Sequence, residues 1–293
     1  MFNFKNIGLA RSASICLSAI AFSLMACNSN PKETEPSASS GEPSKAENLP
    51  AAGFDLAGSD AKAVALADSV MEACGGAENW KNARIVTWDW FGKRLNVWNK
   101  QTGDIRVEAR RSLILMNLNT RKGRAWKDGH EITEPADLQR AIDYGYEAWI
   151  NDSYWMFLPF KLKDSGVTLK YLGEDTTAEG RKADMISLTF NGVGLTPKNK
   201  HVVYIDQDSK LLVQWDFYRD AEDPAPHFFV PWENYQKFGN ILLSDDRGEG
   251  PRKKHVGLGV FDELPASVFN SVDPIDWKKI RSEFAANKTS SLN

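Results

Sequence analysis

The chain has 293 residues, of which 42% are hydrophobic and 26% charged, an ordinary globular composition that excludes collagen-like and fully disordered classes. Its formal net charge of -3, from 36 basic and 39 acidic residues, gives no basic surplus that would favour nucleic acid as a partner. Ten tryptophans require either a large aromatic core or a surface that stacks on flat or apolar ligands.

The N-terminal segment has the layout of a secretory signal. Two basic residues precede an uncharged, largely apolar run, residues 12–24, which is too short for a membrane span. Residues 24–27 then read Leu-Met-Ala-Cys, which resembles the lipobox of bacterial lipoproteins. The resemblance implies that residues 1–26 are a lipoprotein signal peptide and that Cys27 carries acyl chains that attach the protein to a membrane. The alternative is an ordinary signal peptide with an incidental cysteine.

The composition after Cys27 changes to Ser, Pro, Glu, Lys, Asn and Ala, with almost nothing to bury. We therefore expect residues 27–52 to be the lipidated cysteine and a disordered tether, followed by a single domain over residues 53–293. Asn28 is not the Asp that retains enterobacterial lipoproteins in the inner membrane. We expect a monomer in the envelope of a Gram-negative bacterium, lipid-anchored in the outer membrane and facing the periplasm.

The domain begins with a predicted helix that Asp60 can cap and that ends at Gly75 and Gly76. Cys74 continues its apolar face, so we expect a small buried hydrophobic residue and no nucleophile. Strands follow over residues 85–98, broken near Gly92, and over 105–110, where Arg106, Glu108 and Arg110 should face water. Residues 113–118 are apolar on both faces, which predicts cover on both sides, and Asp128 with Gly129 predicts a hairpin.

A helical insert follows these strands. Apolar residues recur at helical spacing over 135–150, Thr133 can cap this helix, and Pro135 suits its first turn. Residues 151–162 hold four aromatic residues and must face something large and apolar. Further short strands with polar turns indicate an antiparallel meander: 167–172, 183–190, 201–205, 211–218, 228–230 and 235–243. Residues 247–254 form a predicted solvated hairpin tip, and 274–285 a final helix.

The sequence lacks the motifs of the common catalytic classes, among them Gly-x-Ser-x-Gly, His-Glu-x-x-His and Cys-x-x-Cys. Metal ligands normally include a close-spaced pair, whereas the four histidines stand singly: His130, His201, His227 and His255. We therefore expect no enzyme, no catalytic residue, no metal and no cofactor.

The aromatic residues are the stronger signal. Trp88 and Trp90, like Trp215 and Phe217, project from one strand face at a period of two. Each is best explained as core, but as a set they predict an apolar, lipid-sized cavity. The predicted lining is Trp88, Trp90, Met116, Trp149, Trp155, Phe157, Phe160, Trp215 and Phe217.

Three segments resemble the LolA/LolB-like superfamily of periplasmic lipoprotein carriers: residues 155–167, the strand pair within 203–216, and residues 232–241. The resemblance implies an α+β fold in which a curved antiparallel sheet forms an incomplete, half β-barrel closed by helices, with an interior that accepts acyl chains. It brings no catalytic residue.

These observations favour a lipid-anchored envelope protein that binds or carries an apolar ligand, either lipid or the acyl chains of a lipoprotein cargo. A glycan-binding or envelope protein-interaction module with exposed tryptophans is the first alternative, and a hydrolase is the second. Tryptophans that point inward favour the cavity, whereas an outward row favours glycan.

Overall fold

The strand pairs of this protein are antiparallel, as the short strands and polar turns predict. The structure, a computed structural model, describes residues 48–250 and 253–286. A seven-stranded sheet has the order β14-β1-β2-β3-β4-β5-β6, a five-stranded sheet the order β11-β10-β9-β8-β7, and β12 pairs with β13. The strands are β1 (Ile85–Trp90), β2 (Arg94–Asn99), β3 (Asp104–Ala109), β4 (Ser112–Asn117), β5 (Lys122–Lys127), β6 (His130–Glu131), β7 (Val167–Thr176), β8 (Lys182–Phe190), β9 (Lys200–Asp206), β10 (Leu212–Tyr218), β11 (Phe228–Pro231), β12 (Glu233–Phe238), β13 (Ile241–Asp246) and β14 (Val256–Phe261).

The described helices are α1 (Ala61–Ala73), α2 (Ala77–Asn82), α3 (Pro135–Phe157), α4 (Ser267–Asn270) and α5 (Trp277–Ala286). The fold class is therefore α+β with open antiparallel sheets. The main hydrophobic core is shared by α1, the C-terminal end of α3, β1 and the second sheet.

Helix α1 ends where the sequence predicts. Gly75 and Gly76 have φ of 115° and 88°, and the amide of Gly76 donates to the carbonyl of Met71 at 2.9 Å, which satisfies a carbonyl of the last turn. Cys74 is fully buried, as expected, and burial raises the pKa of its thiol to about 12. Asp60 occupies the N-cap position without capping, because its carboxylate accepts from the amide of Tyr171 at 3.0 Å.

Helix α3 is longer than the periodicity predicts and includes residues 151–157 of the aromatic segment. Pro135 stands in its first turn, but the prediction that Thr133 caps it is wrong, because Glu134 is the N-cap. Gly145 allows α3 to approach β4: a Cβ there would lie 3.0 Å from Ile114 Cγ2. A 3-10 turn, Leu158–Phe160, ends the helical stretch.

The first sheet confirms the break at Gly92 and the hairpin at Asp128 and Gly129, where both residues have positive φ. Strand β4 is buried on both faces, as predicted: Ile114 and Met116 belong to the cluster with α3, whereas Leu113 and Leu115 contact Trp126. Strand β14 was not predicted from the sequence. It pairs with β1 and places Phe261 opposite Ile85.

Two strand predictions are wrong. Residues 235–243 are not one strand, because Gly239, with φ of 60°, turns the chain between β12 and β13. The side of β3 that should face water is covered at Arg106, which is 1% exposed and donates to the carbonyl oxygens of Ser271 and Asp273 at 2.8 and 3.1 Å, whereas Arg110, just beyond the strand, is exposed as predicted. Glu108 pairs with the same guanidinium at 2.9 Å. The C-terminal segment thus supplies the polar partners that the sequence analysis assigned to solvent.

Candidate apolar-ligand site

The nine predicted cavity residues lie in different surroundings. Trp88, Phe157 and Trp215 are buried in the main core, with the rings of Trp88 and Phe157 edge to face at 4.9 Å. Met116 belongs to a separate cluster between β4 and α3, against which Trp149 also packs. The remaining aromatic residues pack against the main core, and Phe160 belongs to it: Trp90, Trp149, Trp155, Phe160 and Phe217.

Aromatic side chains from α3, β9, β10 and β11 form one packed group, here called the aromatic cluster: Trp155, His201, Trp215, Phe217 and Phe228. Trp155 lies 4.6 Å from Trp215 and is stacked on Phe228 at 5.7 Å between ring centroids. Rings at these distances fill the space between them. Sequence reasoning missed Phe228 and His201, since neither stands in a motif.

His201 is the polar member of the aromatic cluster. Its ring lies 5.1 Å from Trp215 and 5.6 Å from Phe217, and within the described part of the chain its Nδ1 has no hydrogen-bond partner. Burial lowers the pKa of His201 to about 3, so the imidazole is neutral at physiological pH. The histidine therefore serves here as a flat, largely apolar ring.

Arg247 fixes the position of Trp155. Contrary to the predicted solvated tip, Arg247 is 1% exposed, and its Nη2 donates to the carbonyl of Trp155 at 2.8 Å. That carbonyl belongs to the last turn of α3, where the helix dipole favours a cation. The guanidinium also donates to Ser244 Oγ at 2.8 Å and lies 3.4 Å over the ring of Trp232. Burial lowers the pKa of Arg247 to about 9.

A stack of rings continues from Trp155 to the N-terminal edge of β14. Phe91 is edge to face with Trp155 at 5.3 Å and stacked on His255 at 4.3 Å. Both ring nitrogens of the buried His255 lack a hydrogen-bond partner among residues 48–250 and 253–286. Burial and the charge of Arg247 hold the pKa of His255 well below its usual range.

A void lies on another side of the core. This strap pocket has a volume of about 400 Å³ and is bounded by α1, α2, the segment after α3 and residues 48–51, here called the strap. Its lining is Asn48, Leu49, Ala51, Ala67, Met71, Ala77, Glu78, Trp80, Lys81, Pro159, Phe160, Leu162, Lys163 and Asp164. Phe160, one of the predicted cavity residues, stacks on Trp80 at 4.4 Å in its wall. The strap falls within the segment predicted as tether, yet it hydrogen-bonds to the domain.

Trp80 is held between two groups. Phe160 stacks on it, and Lys100 Nζ lies 3.3 Å from its ring centroid and donates to its carbonyl oxygen. Burial and, to a lesser degree, the charge of Lys161 lower the pKa of Lys100 to about 7. The void therefore has a rigid aromatic wall and a rim of polar side chains.

The other polar groups suggest no further chemistry. A second, more polar depression of about 520 Å³ lies between Arg84, Asp104 and residues 262–270. Within residues 48–250 and 253–286, no three His, Cys, Asp or Glu side chains are arranged to hold a metal ion.

None of the described helices has the length and apolarity to cross a membrane. Cys27 lies outside the described residues.

All ten tryptophans lie in described residues, and each is buried or half-buried. The outward row of tryptophans that a glycan-binding face would require is therefore not present in the part of the chain that the structure describes. None of the tryptophans is exposed, whereas Tyr144 and Phe229 are 44% and 55% exposed.

No family model matches the chain, and neither does any curated protein. Among solved structures, a DUF1329 family protein from Desulfovibrio piger is 13% identical, with 71% of this chain and 97% of that chain covered and a TM-score of 0.37. A domain assigned to an outer membrane lipoprotein-sorting protein from Vibrio parahaemolyticus is 10% identical, covers 71% and 96%, and gives a TM-score of 0.33. MucB is 15% identical, covers 65% and 68%, and gives 0.24. The chain is thus similar to lipoprotein-sorting and DUF1329 domains, at a level too low to carry an inference about function.

Proposed function

We propose that this protein binds an apolar ligand, a lipid or the acyl chain of a lipoprotein, and that the strap pocket is its site. The single observation that carries the proposal is the void of about 400 Å³ walled by Met71, Trp80 and Phe160. Ligand sites are concave, mostly apolar and of about 300–1,000 Å³, with a few polar groups that orient the ligand. The apolar floor and the rim with Asn48 and Lys81 fit that description.

The predicted cavity residues then take two roles. Phe160 contacts the ligand directly and Phe157 packs behind Trp80, whereas Trp88, Trp155 and Trp215 lie in the packed core outside the pocket lining. In this proposal the seven-stranded sheet is the half-barrel. Helix α3 and the 3-10 turn lie against its inner face. In such a site the aromatic cluster gives rigidity, and the void gives room for the ligand.

The proposal places the protein in the envelope of a Gram-negative bacterium as a monomer. Acyl chains on Cys27 anchor it in the outer membrane, facing the periplasm. Three acyl chains hold a protein far more firmly than one, given about 0.8 kcal/mol per buried CH₂. A Cys27→Ser chain is expected in the soluble fraction after cell lysis; its full retention in washed membranes would refute the anchor.

Ligand binding is tested with dansyl-undecanoic acid, whose fluorescence rises in an apolar site. Ala77 lines the strap pocket and is only half-buried, so Ala77→Trp fills the void without removing a contact. We expect one saturable site in the wild-type chain and at least tenfold weaker binding in Ala77→Trp. Ala65 is exposed on α1 outside the pocket, and Ala65→Trp is the matched control. Absence of probe binding up to millimolar concentration, or equal binding by both variants, would reject the site.

A further inference from the structure

The strap is held against the domain by two side chains, Asp68 and Lys163. Asn48 Nδ2 donates to Asp68 Oδ1 at 2.7 Å, and Lys163 Nζ donates to the same oxygen at 2.5 Å and to the carbonyl of Asn48. The amide of Ala51 donates to the carbonyl of Lys163 at 3.0 Å. Each of these contacts joins the strap to Lys163, either directly or through Asp68.

Lys163 is buried more deeply than its partner: its side chain is 7% exposed and that of Asp68 is 43% exposed. A buried ammonium group needs acceptors for its donors, because water reaches them poorly. If the strap leaves, Lys163 loses the carbonyl of Asn48 as an acceptor, and Asp68 loses a donor. The closed strap is therefore the arrangement in which both side chains keep their partners.

The strap also presents an apolar side chain at the pocket. Leu49 lines the void, yet it is 71% exposed. An apolar ligand in the pocket gives Leu49 a surface to cover, and the apolar area that is thereby removed from water favours the closed position of the strap. Ligand and latch thus favour the same position of the strap.

Resting on the proposed function, we propose that the strap is a lid on the strap pocket, with Lys163 and Asp68 as its latch. The strap is also the point at which the chain coming from Cys27 meets the domain.

The test uses the chain carrying Cys27→Ser, which removes the predicted acylation site and allows measurement without detergent. Dissociation of dansyl-undecanoic acid is followed by stopped flow, and hydrogen exchange of the Ala51 amide reports on the strap without ligand. We expect Lys163→Met to raise the dissociation rate and the Ala51 exchange rate at least tenfold. Lys170→Met is the matched control, because Lys170 pairs with Asp60 at the surface and neither residue lines the pocket.

Asp68→Asn provides a second variant at a half-exposed position, where loss of folding is not expected. It should raise both rates at least threefold, because it weakens the contacts of Asn48 and Lys163 at once. If the hydrogen-exchange rate of the Ala51 amide is unchanged in either latch variant, the lid proposal is overturned, whatever the dissociation rate of the probe. Unchanged probe dissociation with faster exchange also overturns it, because the strap then moves without controlling the ligand. Absence of probe binding in the parent chain instead refutes the proposed function and leaves the exchange result to decide the latch.

Discussion

The aromatic cluster and the strap pocket are built from the same kinds of residue but differ in how much space their side chains leave between one another. In the aromatic cluster, Trp155, Trp215 and Phe228 contact one another directly, and no room remains between the rings. In the strap pocket, Trp80 and Phe160 stack into one wall, while the opposite walls come from α1 and the strap. An aromatic residue makes a ligand site only where its neighbours are too far away to cover it.

The largest effect is expected when Phe157, in the packed main core, is truncated and compared with Phe160, which lines the strap pocket. Phe157 has no exposed surface and is packed against Trp88 and Trp80. We expect Phe157→Ala to lower the free energy of unfolding by about 3–5 kcal/mol, since truncation leaves a cavity in a packed core. A denaturant melt measures the loss. A loss below about 1 kcal/mol would mean that this region is not packed as described.

Lys100, beside the strap pocket, should make the folding stability of the domain depend on pH in the alkaline range. The unfolded chain binds a proton at this lysine below its ordinary pKa of 10.5, but the folded protein does so only below about 7. The unfolded state therefore binds more protons in this window, so stability rises with pH from about 7 to 10.5, by roughly 4 kcal/mol. Lys100→Met should remove that rise in melts at pH 7 to 10. Parallel curves for the variant and the wild type would count against it.

Arg247 tests what orients the aromatic cluster. Arg247→Met removes a buried charge but leaves the carbonyl of Trp155 without its donor, for a net loss of about 2 kcal/mol. The near-ultraviolet circular dichroism of the tryptophans should change as Trp155 loses its fixed position. Arg111→Met is a suitable control, because Arg111 pairs with Asp128 at the surface. An unchanged tryptophan spectrum would show that Arg247 does not position Trp155.

His201 should make the stability of the domain depend on pH in the acid range, whereas Lys100 does so in the alkaline range. Its folded pKa of about 3 lies below the unfolded value of 6.5, so the unfolded chain takes up a proton first. Stability is complete above about pH 6.5 and falls as pH drops towards 3, by about 2 kcal/mol at pH 5. His201→Phe should flatten this fall in melts at pH 7 and pH 5. The idea is wrong if the two proteins lose the same stability between these pH values.

The smallest effect on stability is expected at Phe160, the partner of Phe157 in the comparison. Phe160 already faces a void, so Phe160→Ala should cost only about 1–2 kcal/mol while weakening probe binding at least fivefold. Calorimetric melting and the probe titration separate these two effects. A stability loss equal to that of Phe157→Ala, with binding intact, would make Phe160 ordinary core.

Local patterns predicted much of the fold. The helical spacing over residues 135–150 located α3, and the Gly pairs and turn residues located the end of α1 and the hairpin at Asp128. Strand β14 escaped prediction because Gly257 and Gly259 interrupt any alternation of apolar and polar residues. Its pairing with β1 is decided by a partner far away in the chain, not by its own composition.

The two errors at buried arginines share one physical cause. Arg106 and Arg247 carry charge, and charge alone predicts exposure. Beside its local partners, each donates to a backbone carbonyl that is distant in the sequence, 165 residues away for Arg106 and 92 residues away for Arg247, and no local window includes that acceptor. The strap pocket was equally out of reach, because its walls come from segments that are adjacent only in the folded chain. Sequence analysis named Phe160 but could not tell which predicted residue would face a void.

Because β1 pairs with β14, the first sheet can be completed only after the C-terminal strand has been synthesised. Until residues 256–261 have been synthesised, β1 has an unpaired edge on the side that β14 will occupy. An unpaired edge is a template for wrong partners, and closing so long a loop is slow. The emerging chain therefore needs protection from aggregation up to its last strand. A protease that trims the C-terminal segment should reopen that edge and convert a stable domain into one that is degraded.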